Sequence, residues 1–264
     1  MIHRLARWLY RRRLLGWLCP MLFCAWGVAP IPCAAQQNLF NVPSGHITTP
    51  DELFFQQQLN INSVLQTSIT LDYGLGHGWE VGVNLFDGTI IPIPITTFNQ
   101  EVVVSQDLLV NAQKSFELTD VFHMAIGGQV GRNLNDDIAK QHFVTFDWVV
   151  ASLDVPELRD SKFYVGGYYG NRHYAGDPNR FGFMLGTEIP IIEEKVHFMA
   201  DYISGQNTVA LGVIGVVVLL PKHWSLSIGA QVPSPGSGNP YGGVLELTRV
   251  VPPKAHRQKT PIRL

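Results

Sequence analysis

The chain has 264 residues with a formal net charge of −2, and its three cysteines, Cys19, Cys24 and Cys33, all lie near the N-terminus. Without a basic excess it is not expected to bind nucleic acid, because the phosphates are recognised by clustered Lys and Arg. Beyond Cys33 the sequence can form no disulfide, thiol nucleophile or thiolate metal site.

Residues 1–35 have the pattern of a secretory signal peptide. Five arginines precede an apolar run from Leu14 to Ala29, and Cys33-Ala34-Ala35 offers a cleavage site after Ala35. A transmembrane anchor is the alternative, but three prolines interrupt the run. Removal of this segment leaves 14 basic and 21 acidic residues, a net charge of −7. The remaining length, about 229 residues, suits a single all-β barrel or sandwich.

Residues 36–51 show no hydrophobic period and are predicted to be an N-terminal leader outside the folded domain. From residue 52 to residue 251, runs of strand length follow one another, with apolar and polar side chains alternating as they do in a strand that has one apolar face. In one run, for example, Leu65, Ile69 and Leu71 alternate with Gln66 and Asp72. The predicted runs are Glu52–Asn62, Val64–Tyr73, Trp79–Leu85, Val102–Leu118, Val121–Arg132, His142–Val155, Lys162–Asn171, Arg180–Ile189, Val196–Ile203, Val209–Leu220, Trp224–Gln231 and Tyr241–Val251.

The connections between these runs fall into two classes. Short ones, at Gly74, Leu118, Pro156, Pro190 and Leu220, alternate with a set that contains four long loops, at Asp87, Asn133, Arg172 and Pro233. An even number of strands with short turns on one side and longer loops on the other is typical of outer-membrane barrels. We therefore predict a closed antiparallel transmembrane β-barrel of about 12 strands over residues 52–251, followed by a basic C-terminal tail, residues 252–264. A soluble lipocalin-like barrel or sandwich is the alternative.

Charged side chains at predicted inward positions are the candidates for pore-lining residues. They would bias the passage of ions or solutes, or they would pair with one another and fill the narrow bore of a 12-stranded barrel. The predicted pore-lining residues are Asp72, Glu80, Asp107, His123, Asp147, Arg180, Glu188, His197, Asp201 and Glu246.

Signals for chemistry are weak. No two histidines have metal-ligand spacing within one strand or helix. His197 and Asp201 share a strand face, but four residues along a strand span about 13 Å, too far for an orienting hydrogen bond. We therefore predict no catalytic residue, no metal site, no cofactor and no enzymatic activity.

The run Phe198–Asn207 (FMADYISGQN), preceded by Gly186–Pro190 and followed by a glycine-spaced apolar strand, resembles the outer-membrane transporters named for the phenol meta-cleavage pathway. The resemblance covers roughly residues 52–251. It implies a channel-like barrel for small organic or aromatic solutes and supplies no binding residues. The chain departs from the usual barrel pattern by ending in Arg263-Leu264 rather than in an aromatic residue.

The expected function is a porin-like channel of the bacterial outer membrane for passive passage of small solutes. Its expected partners are outer-membrane lipid and lipopolysaccharide, the barrel-assembly machinery, and small-molecule solutes. The alternative is a structural or adhesion barrel with a plugged lumen.

Overall fold

The computed structural model describes residues 38–92, 106–134, 137 and 141–251, with the backbone alone for residues 87–92. The predicted signal peptide, the C-terminal tail and most of the predicted loop at Asp87 lie outside the described residues. In the described part of the chain, no helix is long and apolar enough to cross a membrane.

Twelve strands form one closed antiparallel barrel, as predicted. Each strand pairs with its neighbours in sequence, and the first strand pairs with the last, from Leu53 opposite Val251 to Ile61 opposite Gly243. The strands are β1 Leu53–Ile61, β2 Val64–Gly76, β3 Trp79–Pro92, β4 Asp107–Glu117, β5 Phe122–Asn133, β6 Phe143–Val155, β7 Ser161–Gly170, β8 Phe181–Ile192, β9 Val196–Ile203, β10 Leu211–Leu220, β11 Trp224–Pro233 and β12 Gly242–Val251. A 3₁₀ turn, Pro156–Leu158, and one short helix, α1 Arg172–Ala175, lie in connections.

One strand, β3, extends well beyond its predicted end. The prediction ended it at Leu85 because Asp87 and the following prolines resemble a loop, whereas β3 continues to Pro92 and pairs with Val64 and Leu65 across two register shifts. Such irregularities let a strand continue through residues that would break a regular ladder. The extended backbone therefore reaches further into this connection than the composition suggests.

The two ends of the barrel differ in their connections. The short-turn end carries residues 77–78, 118–121, 156–160, 193–195 and 221–223. Of the described residues, the loop end carries 62–63, 106, 134, 137, 141–142, 171–180, 204–210 and 234–241. In the two-residue turn of His77 and Gly78 both residues have positive φ, as does the preceding Gly76. Positive φ is the backbone conformation that a two-residue hairpin requires. This distribution follows the predicted division into short turns and longer loops.

Residues 38–50 of the predicted N-terminal leader lie inside the lumen of the barrel. The prediction placed the leader outside. Residues 38–50, which we call the plug segment, place Leu39, Phe40 and Val42 at 2%, 3% and 0% exposure within a core cluster that includes Val150 and Met199 of the wall. Burying an apolar side chain of this size contributes about 1.5–3 kcal/mol. Burial of these three apolar residues therefore stabilises the plug segment inside the barrel.

Glycines in the wall make room for the plug segment. A Cβ atom at Gly215 would lie 2.8 Å from Cζ of Phe40, and one at Gly229 would lie 2.9 Å from the same atom. A Cβ at Gly186 would collide with Cδ1 of Leu39. The glycines of β8, β10 and β11 thus form a recess that receives the two largest side chains of the plug segment.

The outer face of the barrel is apolar around its circumference. Large hydrophobic side chains are exposed on β1 to β8, β10 and β11, for example Val110 at 55%, Ile126 at 55% and Val165 at 56%. Exposed aromatic residues near strand ends include Tyr73, Trp79, Tyr169, Phe181 and Tyr241. Trp224 is half-buried and lies under the Arg249 guanidinium.

Candidate functional site

The lumen beside the plug segment holds a cavity of about 490 Å³. Its wall comes mainly from β1 to β6, and it extends from the first loop-end connection, at Asn62 and Ser63, to Glu80 near the short-turn end. Carboxamide side chains dominate the wall: Asn38, Asn41, Asn60, Asn62, Asn84, Asn111, Asn239, Gln56, Gln58, Gln66, Gln113, Gln129 and Gln231. The lining residues, all within the described part of the chain, include the acids Asp72 and Glu80 but no Lys, Arg or His.

The amides are ordered by hydrogen bonds into a row that crosses four strands. Asn111 donates from Nδ2 to Oδ1 of Asp72, at 2.8 Å, and to Oδ1 of Asn84, at 3.1 Å. Asn84 donates to Oε1 of Gln129, at 2.6 Å, and Gln129 donates to the Tyr174 hydroxyl, at 2.8 Å. The row arises because each residue occupies an inward position of a neighbouring strand, where side chains repeat every second residue.

An aromatic cluster borders the same cavity. The Tyr174 ring of α1 lies 5.2 Å from the Phe86 ring and 4.8 Å from the Phe146 ring, and Phe146 lies 5.8 Å from Trp148. Trp148 donates from Nε1 to Oε1 of Gln113 at 2.8 Å, and this hydrogen bond fixes the Trp148 ring against a carboxamide of the cavity wall. The cavity therefore presents aromatic surfaces beside hydrogen-bonding groups.

This combination suits uncharged polar molecules. Each carboxamide offers donors and an acceptor without net charge, so it can replace the hydration of a hydroxyl or amide group on a solute. Aromatic faces supply apolar contact area with a defined orientation. A few convergent polar groups beside apolar surface are what small-molecule sites commonly present.

Carboxylates at inward positions hold the plug segment. Asp201 accepts hydrogen bonds from the backbone N–H groups of Asn41 and, at 3.0 Å, of Val42. Glu80 accepts one from the backbone N–H of Thr48 at 2.7 Å. These bonds satisfy backbone donors of a segment that has no strand partner along most of its length.

Neutral side chains of β4 satisfy the acceptors of the plug segment. Gln113 donates from Nε2 to the Ser44 carbonyl at 3.2 Å, and Ser115 donates from Oγ to the Gly45 carbonyl at 2.7 Å. The plug segment is thus hydrogen-bonded to two sides of the wall, to β3 and β4 on one and to β9 on the other.

Eight of the ten predicted pore-lining residues point into the barrel, but only Asp72 and Glu80 line the cavity. Glu188 and His197 pair with each other, with Oε1 and Nδ1 2.6 Å apart. Glu246, at 0% exposure, accepts a hydrogen bond from Ser227.

The remaining predicted residues occupy other places. Asp107 accepts a hydrogen bond from Asn133 at the loop end, at 2.8 Å, and His123 lies against His46 of the plug segment. Arg180 lies in the connection before β8, 3.8 Å from Asp177.

Asp147 does not line the lumen, contrary to the prediction. It is exposed and lies on the outer face of β6 with Phe143 and Val149, while Phe146 and Val150 point inward. The alternation was identified correctly, but its apolar side was assigned to the outside. That side faces inward here because the plug segment supplies an apolar partner inside the barrel.

The prediction missed the carboxamide lining of the cavity because it considered only charged side chains. A signal was present: Gln56, Gln58 and Asn60 recur at every second position of β1, and Asn111 and Gln113 do so in β4. The contribution of Tyr174 could not be found in this way, because α1 is a single turn within a loop.

Neither a protein-family model nor a curated protein matches this sequence. The solved structures that share the fold include two porins. One, described as KdgM porin, has 8% sequence identity and a TM-score of 0.52, covering 75% of this chain and 98% of that chain. The other, KdgM porin in complex with disordered oligogalacturonate, has 9% identity and a TM-score of 0.50 with the same coverage. The chain is therefore similar in architecture to porin barrels that it barely resembles in sequence.

Proposed function

We propose that this protein is a channel for the passive passage of small, uncharged polar solutes across the bacterial outer membrane. The observation that carries the proposal is the cavity of about 490 Å³, whose wall is dominated by carboxamides and includes no basic side chain among the described residues. A channel of this kind selects by the hydrogen bonds that its lining offers, and it makes or breaks no covalent bond.

The outer surface supports the proposed location. A closed barrel leaves no unpaired sheet edge, and its apolar outer face suits contact with lipid, with lipopolysaccharide on the outer leaflet. The signal-peptide pattern of residues 1–35 supports export, and delivery to the barrel-assembly machinery follows from it. With both termini of the barrel at the short-turn end, that end faces the periplasm.

The lining distinguishes this chain from a channel for acidic oligosaccharides. Oligogalacturonate, which is named with one of the similar porins, is a polyanion. A polyanion would meet Asp72 and Glu80 and no compensating cation among the described lining residues of this cavity. The resemblance to transporters named for phenol meta-cleavage supports organic solutes instead, and Phe86, Trp148 and Tyr174 offer such solutes aromatic surfaces.

Liposome swelling tests the proposal. Vesicles that contain the refolded protein are placed in isotonic solutions of a neutral disaccharide, of a small neutral phenol glycoside, or of oligogalacturonate. We expect the two neutral solutes to enter and the polyanion to be excluded. Swelling in oligogalacturonate at the rate of the disaccharide would contradict the proposed selectivity, and no swelling in any solute would contradict the channel.

The plug segment favours a second candidate function, a structural or adhesion barrel with a closed lumen. The two functions are separated by deleting residues 38–48 and measuring single-channel conductance. A channel whose lumen is partly filled by the plug segment gains conductance on deletion. A variant that folds, as judged by its far-UV circular dichroism, yet remains silent in bilayers would favour the structural barrel.

A further inference from the structure

Three potential metal ligands meet at the short-turn end of the lumen. His46 belongs to the plug segment, His123 to β5 and Asp154 to β6. One ligand atom from each lies within 4.8 Å of the other two. Nε2 of His46 is 3.3 Å from Oδ1 of Asp154, and Nε2 of His123 is 4.0 Å from its Oδ2.

The fold explains why these side chains meet. His123 is paired with Ser152 across β5 and β6, so Asp154 lies at the diagonal position two residues further along the same inward face. His46 approaches from inside the barrel, where the neighbouring Gly45 packs against Ser152 and its carbonyl accepts the hydrogen bond of Ser115. No spacing within one element could reveal this cluster, because each ligand comes from a different element.

The chemistry of the three groups matches a borderline divalent ion. Two imidazoles and one carboxylate are a ligand set that Zn²⁺ accepts, with its fourth position left to water. Tetrahedral bonds of about 2.1 Å require donor atoms about 3.3–3.5 Å apart. His46 and Asp154 already have this separation, at 3.3 Å, whereas His123, 4.0 Å from Asp154, must move closer for the ion to bind. Burial, followed by the positive charge of Lys162, lowers the pKa of His46.

We propose that His46, His123 and Asp154 form a binding site for Zn²⁺ or a similar transition metal ion, which fastens the plug segment to the barrel wall. Binding of the ion does not depend on transport. Its consequence, a plug segment held more tightly and a lower conductance, rests on the proposed function.

The first test measures binding alone. The exported protein, extracted from membranes in a mild detergent and freed of metal, is titrated with Zn²⁺ by calorimetry and with Co²⁺ by visible absorption. We expect one ion per chain with the visible bands of tetrahedral Co²⁺. Because His123→Gln and Asp154→Asn each remove a ligand, they should weaken binding by more than the roughly 10–100-fold that outer-shell changes cost.

Matched controls use residues outside the cluster. The rings of His142 and His173 stack 4.2 Å apart at the loop end. His173→Gln therefore tests whether Zn²⁺ binds at this second histidine pair instead of at His46 and His123. That variant should keep wild-type affinity, and Lys162→Gln should bind more tightly because it removes a positive charge near His46. Absence of binding in the wild type, or binding lost in His173→Gln and kept in His123→Gln, would overturn the site.

The second test measures the consequence in bilayers. Zn²⁺ added on the short-turn side should reduce the conductance of the wild type and leave that of Asp154→Asn unchanged. If Zn²⁺ binds as proposed but conductance does not respond, the fastening of the plug segment is wrong while the metal site stands. If the wild type has no conductance at all, the proposed channel fails, and the binding test decides the site by itself.

Discussion

At the scale of single residues, buried carboxylates in this barrel have two separable roles. Asp201 and Glu246 are both inward-facing and almost fully buried, at 5% and 0% exposure. Asp201 binds backbone N–H groups of the plug segment, whereas Glu246 accepts hydrogen bonds from the wall residues Ser227 and Thr248. Burial alone therefore does not identify a residue that controls the lumen; its partner does.

Replacing Asp201 is expected to loosen the plug segment. Hydrogen bonds to a carboxylate contribute about 1.5–3 kcal/mol each. Asp201→Asn weakens those to the plug segment, so it should raise by roughly tenfold or more the fraction of time for which the plug segment is displaced and the conductance is high. Single-channel recording measures this fraction. Glu246→Gln is the matched control, because it changes an equally buried acid that accepts hydrogen bonds from the wall residues Ser227 and Thr248. Equal effects of the two substitutions would contradict a plug-specific role for Asp201.

The amide row predicts which charge change alters selectivity. Asn84→Lys places a cation in the cavity beside Gln129 and Asn111, and it should turn a channel for neutral solutes into one that also admits oligogalacturonate. The liposome swelling rate measures the change. Asn84→Gln keeps the carboxamide and should retain the exclusion. Persistent exclusion in Asn84→Lys would show that the amide row does not lie on the route of the solute.

At the scale of elements, the strands could be predicted from sequence and the plug segment could not. A period of two persists through β2 or β9 whatever lies beside them, because it reflects the pleat itself. The plug segment has no period, and the carboxylate that holds Val42 lies 159 residues away in sequence. The wrong side predicted for Asp147 has a related cause. A period of two defines the two faces of β6, but only the partner inside the lumen determines which face points inward.

Movement of the plug segment can be tested with an engineered disulfide. A Cβ atom on Gly45 would lie 3.3 Å from Cβ of Ser152, close to the 3.5–4.5 Å range of disulfides. Because the three native cysteines all lie in the predicted signal peptide, the double variant Gly45→Cys with Ser152→Cys gives one defined pair. We expect low conductance when it is oxidised and wild-type conductance after reduction.

Two results would contradict the expectation for this pair. Failure to form the disulfide under mild oxidation would argue against the position of the plug segment, and equal conductance in both redox states would argue against its movement. Each single-cysteine variant, treated with the same oxidant and reductant, controls for effects of the reagents.

At the scale of the whole molecule, closure makes the barrel cooperative. The pairing of β1 with β12 runs over nine residue pairs and completes the hydrogen bonding of every strand. In lipid or detergent, no strand can leave without exposing unpaired backbone groups of two neighbours. The barrel is therefore expected to resist unfolding until it opens as a unit.

Gel mobility measures this cooperativity. The unheated protein in sodium dodecyl sulfate should migrate faster than the boiled protein, because the closed barrel stays compact. Leu59→Pro, which removes a ladder donor from β1, should abolish the difference, and Leu59→Val should keep it. Identical mobility of heated and unheated wild type would contradict a closed membrane barrel.

Because the apolar recess receives Leu39 and Phe40, apolar side chains on the two faces of one strand have different surroundings. On the outer face of the proposed membrane barrel, the tolerance of a substitution depends on how the side chain partitions between lipid and water. Beside the plug segment it depends on close packing, as in the interior of a soluble protein. Enlargement to Phe should therefore have opposite consequences at successive residues of β10: it is tolerated poorly at Val213, which is buried inside, and well at Ile214, which is exposed outside. A mutational scan of β10 would record two alternating tolerance patterns along ten residues of a single strand.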